Sequence, residues 1–174
     1  MLPNQPPSWY AIRTFPNHER TTAAIFHNKE IPYFFPTYRS RSRWHDRTKT
    51  LDRPLFPGYL FARMDYSQRP AVLSTPSVRS IVSHGRHESP IPDSDIEYIR
   101  RMIASGLPLL PWPALAPGQS VRILHGPLAG LSGTLVRAKN VWRMVVSVSL
   151  LQRSIAAEID LDCLAWDRPP GLSA

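Results

Sequence analysis

The stretch LPLLPWPALAP, residues 107–117, constrains the fold more than any other feature, because it places four prolines in eleven residues. Proline removes a backbone donor and clashes with the preceding helical turn, so no helix runs through this segment. An extended, semi-stiff connector is expected instead. Upstream, a helical pattern stops at Gly106, a residue suited to the left-handed position just past a helix end. Downstream, from Gly118, the pattern is one of short strands. The chain therefore divides into an N-terminal domain at 8–106, a proline-rich linker at 107–117 and a small C-terminal domain at 118–166. The first seven residues and the PPGLSA tail are expected to be loose.

Within the N-terminal domain, WYAIRT (Trp9 to Thr14) reads as a strand with Tyr10 and Ile12 on one face. A helix follows, with Asn17 expected as its cap, Glu19 near its positive end, and Thr22, Ile25 and Phe26 on its apolar side. Further strands are expected at Ile31 to Tyr38, Gly58 to Met64 and Val78 to Val82, and a short helix at Arg69 to Ser74. A last helix is expected to be capped by Asp93, with Ile96, Ile99 and Ile103 at helical spacing. The order βαββαβα indicates an α+β domain, helices packed on a mostly antiparallel sheet. In the C-terminal domain, Ser120 to Leu124, Gly133 to Arg137, Trp142 to Val148 and Ser154 to Ile159 are short strand candidates, the pattern of a small all-β barrel.

Composition bounds the function. The net charge is +8, and 18 of the 21 basic residues are arginine, whose planar fork suits phosphate and carboxylate partners. The single cysteine, Cys163, excludes an intrachain disulfide and a cysteine metal cage, and reads as a small apolar side chain. No secretory signal or membrane-length apolar run is present in the sequence, so a cytoplasmic protein is expected.

Three segments carry candidate functions. LFPGYLF (Leu55 to Phe61) packs Phe56, Tyr59 and Phe61 behind a Pro57-Gly58 turn. These rings, with Tyr10, Phe15, Phe34 and Phe35, either fill the core or leave an apolar interface patch. RSRSRWHDRTKTLDR (Arg39 to Arg53) has six basic residues against two acidic ones, and Arg39, Arg41 and Arg43 alternate as on one side of a strand. With Trp44 and His45 as stacking surfaces, this is either a nucleic-acid surface or a solvated hairpin. GQSVRILHGPLAGLSGTLVR (Gly118 to Arg137) sets Gly126-Pro127, Gly130 and Gly133 where a tight barrel turns. Enzyme signals are weak, and neither a metal site nor a cofactor is expected. His84 and His87 lie close in HGRHE, but a metal site needs three or four ligands.

Taken together, WYAIRT, PLFPGYLF and the PIPDSDIEYIRRM helix resemble the N-terminal (NGN) domain of the NusG-like transcription elongation factors, and Gly118 to Arg137 resembles a KOW motif. The resemblance spans about residues 8–166, and FPGY followed some sixty residues later by a KOW pattern is its specific part. RSRSRW and MVVSVSLLQRSIAAEID look most like the specialised RfaH- and UpxY-type paralogues, which act as antiterminators on particular operons. The resemblance implies a monomeric, non-enzymatic factor that grips the clamp helices of the largest RNA polymerase subunit and promotes processive elongation.

The family's patch falls on Tyr10, Phe15, Phe56, Pro57 and Tyr59, which shifts Phe56 and Tyr59 from core to interface. Arg13, Arg20, Arg39, Arg41 and Arg43 would face DNA or RNA of the elongation complex, and Val121, Gly126, Pro127, Gly130 and Gly133 mark the KOW motif. The KOW partner would be a ribosomal protein or a termination factor. Val145, Val146 and Val148 favour strands, which points to a constitutive barrel. Two other readings stand beside this one: a KOW-type RNA-binding or ribosome-associated protein that never touches polymerase, and a hydrolase using His84, His87 and Asp93.

Overall fold

A computed structural model describes residues 6–44, 47–84, 87–112, 119–138, 141–148, 151 and 153–166. His45, Gly118 and linker residues 113–117 lie outside the described residues, as do both expected loose ends apart from Pro6 and Pro7. The chain falls into two compact units, Met1–Ile96 and Glu97–Ala174. Among the described residues no helix is long and apolar enough to cross a membrane. The fold is α+β throughout the first unit, and antiparallel sheet dominates the second.

The first unit is built on β1 (Ser8–Thr14) and its two neighbours. The sheet order is β2-β5-β1-β6, with β2 at Tyr33–Phe34, β5 at Tyr59–Met64 and β6 at Val78–Ile81. β1 and β5 run antiparallel from Ser8↔Met64 to Arg13↔Tyr59. Side chains alternate along a strand, so this register sorts them onto two faces. Ile12, Leu60, Ala62 and Met64 join Phe26, Ile31, Val72, Val78 and Ile81 in one buried cluster, with Tyr10 and Phe35 packed partly against it. On the other face Trp9, Ala11 and Phe61 are also buried. Because both faces are covered, β5 reads as a nearly continuous apolar run rather than an alternating one. Each large side chain so buried contributes roughly 1.5–3 kcal/mol.

Helix α1 (Glu19–Asn28) lays Thr22, Ala23 and Phe26 inward. The expected cap is corrected: Asn17 adopts a left-handed conformation, φ 63°, and the helix begins only after His18. A turn residue at positive φ cannot also occupy the extended geometry that a cap requires. The helix ends in a Schellman motif, with Glu30 N–H donating to the His27 carbonyl at 3.1 Å and Ile31 N–H to that of Phe26 at 2.9 Å. A short helix, α2 (Arg69–Leu73), follows a 3-10 turn closed by a reciprocal Asp65–Gln68 capping box.

Two further strands, β3 (Thr37–Trp44) and β4 (Arg47–Pro54), pair over eight register positions and form a two-stranded sheet of their own. A second, minimal hairpin joins β7 (Ser83–His84) to β8 (His87–Glu88). Helix α3 spans Asp93–Ala104, so Asp93, expected as its cap, is instead its first helical residue, and Gly106 beyond its end has φ 71°.

In the second unit six strands pair in the order β14-β10-β11-β12-β13-β9. They are β9 (Leu109–Trp112), β10 (Gln119–Ile123), β11 (Ser132–Ala138), β12 (Val141–Val148), β13 (Arg153–Glu158) and β14 (Leu164–Trp166). β9 corrects the expected linker: Leu109–Trp112 belongs to the sheet, with Pro111 opposite Ile155. Proline is tolerated there because β9 is an edge strand, where a missing donor breaks no ladder bond on its open side. The expected glycine requirement is clearest at Gly133, where an added Cβ would lie 2.8 Å from the Val145 carbonyl oxygen and 3.0 Å from Met144 Cγ.

Candidate interaction surfaces

The FPGY turn is held from three sides. Gly58 takes φ 84°, a left-handed conformation that a side chain would strain. Its N–H donates to Glu19 Oε1 at 2.7 Å, and its carbonyl accepts from Thr14 N–H at 2.9 Å. Tyr59 N–H donates to the Phe56 carbonyl at 3.0 Å. Glu19 is itself only 6% exposed, in the first turn of α1. A charge-assisted, part-buried bond thus ties the turn to the helix start.

This frame divides the aromatic residues that the sequence grouped. Phe56 is fully buried, edge-on to Phe61 with centroids 5.4 Å apart, and Phe61 also stacks on Phe34 at 6.1 Å. The expectation that Phe56 sits at an interface is therefore corrected, since its ring is part of the core. Tyr10 is also separated from the group. It pairs with Ala62, whereas Tyr59 pairs with Arg13, and these register positions fall on opposite sheet faces. Tyr10 packs against the cluster that includes Phe26 of α1 and Val72 of α2. Phe15, Pro57 and Tyr59 remain around the turn. Phe15 is 45% exposed and meets His18 edge-on, Pro57 is exposed and Tyr59 is half-buried. Arg13, beside Tyr59, is exposed.

Among the basic residues, Arg20 on α1 and Arg39 on β3 are exposed. Arg20, Tyr33, Phe35, Thr37 and Asp52 line one open groove at the root of the ribbon. Arg39, Arg41 and Arg43 oppose Asp52, Thr50 and Thr48, so the three arginines take alternate register positions. The side chains of Arg41 and Arg43 lie outside the described ones.

In the second unit Val121, on β10, is buried, and Gly126, Pro127 and Gly130 form the exposed turn after that strand. His84 and His87 are register partners on the small hairpin, and Arg69 Nε meets Glu88 Oε1 at 2.6 Å beside them. Among the described residues no three potential metal ligands come together. In the sequence Glu19 stands out only as a residue near the positive end of a helix. Its bond to Gly58 crosses 39 positions, and no local pattern announces it.

The chain is similar to known proteins over most of its length. Residues 7–100, more than half of the chain, match the family model described as transcription termination factor nusG. The transcription termination/antitermination protein NusG of Campylobacter jejuni is 26% identical over 165 residues, covering 87% of this chain and 92% of that protein. Its namesake in Pseudomonas aeruginosa is 25% identical over 167 residues, covering 87% and 94%. That of Escherichia coli K12 is 27% identical over 167 residues, covering 87% and 92%. A solved structure described as domain interaction in Thermotoga maritima NusG superposes with a TM-score of 0.56 at 18% identity, over 92% of this chain and 97% of that one, and supports the fold.

Proposed function

Since the chain belongs to the NusG family, we propose that it is a transcription factor that binds RNA polymerase through the surface around its FPGY turn. Family membership, with relatives named as termination/antitermination proteins, makes it a transcription factor rather than an enzyme. The polymerase-binding role falls to residues 8–106. Its contact set is Phe15, Pro57 and Tyr59, with Arg13 alongside. Phe56 supports that surface from beneath, and Tyr10 supports the opposite sheet face.

The observation that carries this reading is the Glu19–Gly58 bond, which holds an exposed proline and two accessible aromatic rings in one preformed place. Exposed aromatic groups on a rigid frame are what a helical partner such as the polymerase clamp can bury at low ordering cost. The ribbon arginines, with Arg20 at its root, contact the nucleic acid of the elongation complex. Residues 118–166 act as a KOW module for a second protein, a ribosomal protein or a termination factor. The net effect is antitermination on particular operons, as in the specialised paralogues.

The test is binding of purified polymerase by Tyr59→Ala and Phe15→Ala, with thermal melting as the control for folding. Affinity is expected to fall at least about tenfold, or 1.4 kcal/mol, in folded protein. Folded variants that bind as tightly as the parent would overturn the assignment.

A further inference from the structure

The second unit contains a pocket to which the proposed function assigns no role. Its volume is about 330 Å³, near the lower end of the range for binding sites. Ile123 and Leu128, each 1% exposed, form its floor. His125, Glu158, Asp160 and Cys163 are among its other lining residues. The walls are tied together before any ligand arrives: Leu124 N–H donates to the Cys163 carbonyl at 2.7 Å, Gly130 N–H to that of Ile123 at 2.7 Å, and Cys163 N–H to that of Asp160 at 3.2 Å. Leu124 and Leu161, 50% and 38% exposed, adjoin lining residues in the chain and extend the apolar character outward.

The charge around this pocket runs against that of the chain. Net charge is +8, and no Asp or Glu occurs between Glu97 and Glu158. Glu158, Asp160 and Asp162 then fall within five residues, two of them on the pocket wall. Glu158 is partly compensated by Arg143 Nη2 at 3.0 Å. Asp160 is exposed and makes no ion pair among the described residues. Carboxylates at the rim repel phosphate, which disfavours nucleic acid and anionic lipid. An apolar floor beneath a carboxylate suits a side chain that is apolar next to one that is cationic.

We propose that this pocket receives a segment of a partner protein that buries an aliphatic side chain on Ile123 and Leu128 and sets an adjacent arginine or lysine against Asp160. The proposal rests on reading residues 118–166 as a protein-binding module, and it names the chemistry of the segment recognised there.

Cys163, the only cysteine of the chain, lies in the pocket wall and reports occupancy directly. The experiment measures its alkylation by iodoacetamide in the full chain, with the peptide acetyl-Gly-Leu-Arg-Gly-amide or its Glu-for-Arg counterpart titrated in. Methyl-labelled Ile and Leu signals are followed in parallel by NMR. The arginine peptide is expected to slow alkylation at least threefold at saturation and to shift Ile123 and Leu128. The glutamate peptide is expected to do neither. In Asp160→Asn, with an otherwise unchanged methyl spectrum, half-saturation should require at least fivefold more arginine peptide.

Equal protection by both peptides, or an unchanged response in Asp160→Asn, overturns the proposal. Methyl shifts away from the pocket while Cys163 stays reactive would overturn it but keep a protein-binding module. No response at all would remove both. Protection that grows with the protein's own concentration, without peptide, would assign the pocket to a second copy and overturn it as well.

Discussion

Strand β5 and the β3–β4 ribbon are consecutive in the chain and opposite in every physical respect. β5 has a strand on each side and buries side chains on both faces. The ribbon pairs only with itself and carries six basic residues between Arg39 and Arg53. The contrast teaches that density of a residue type does not by itself locate an interface. Of the aromatic rings crowded into FPGYLF, Phe56 and Phe61 are fully buried against each other, while Tyr59, on the same sheet face as Phe61 but at the start of the strand, is only half-buried. Arg39 and Arg53, at the root of the ribbon, are exposed, and desolvating such groups unpaired would be costly.

Substitutions can break this contrast, and they rank by how far they reach into the core. Phe56→Ala should have the largest effect, a loss of about 3–5 kcal/mol in denaturant unfolding, as expected for a buried ring replaced by a cavity. A variant with near-parental stability would mean that the ring is not the core element its burial implies. Glu19→Ala comes next. It leaves the part-buried Gly58 N–H without its acceptor, and losing a hydrogen bond to a charged group costs about 1.5–3 kcal/mol. Glu19→Gln keeps an acceptor and should recover part of that loss, together with polymerase binding. Equal losses in the two variants would show that the hydrogen bond is not what holds the turn.

Phe15→Ala removes an exposed ring, so its stability change should stay within about 0.5 kcal/mol, while polymerase affinity falls. A melt that drops as far as that of Phe56→Ala would erase the distinction between surface and core. The smallest stability effect belongs to Arg39, Arg41 and Arg43 replaced together by Gln, again within about 0.5 kcal/mol. Their expected signature is a flatter salt dependence of binding to a nucleic-acid scaffold, by roughly one unit of slope for each phosphate that is no longer neutralised. An unchanged slope would return the ribbon to the status of a solvated hairpin.

Most elements were legible because their signals are local. The strand expected at Gly58 to Met64 is observed at Tyr59–Met64, and the helix expected at Arg69 to Ser74 spans Arg69–Leu73. What was hidden depends on partners distant in sequence. Tyr10 and Tyr59 each sit in a correctly expected strand. Only the pairing Arg13↔Tyr59 reveals that they face apart. β9 was concealed by the prolines of its own segment, since a proline-rich stretch looks the same whether it is a free connector or an edge strand. Asn17 suits both a cap and a left-handed turn, and the path of the chain into α1 selects the turn.

The Glu19–Gly58 bond also bears on how the molecule assembles in time. It closes a loop of 39 residues. The ribbon lies inside that loop and brings Thr37 beside Pro54, which removes 17 positions (54 − 37) from the path. By the logarithmic law of loop closure the saving is about 0.5 kcal/mol of chain entropy. A hairpin forms from near neighbours within microseconds, well before distant strands meet. A ribbon that pairs before those strands meet would act as a splint, delivering the FPGY turn to the start of α1. Variants that weaken its pairing should refold more slowly in stopped-flow measurements, even where the finished protein is equally stable.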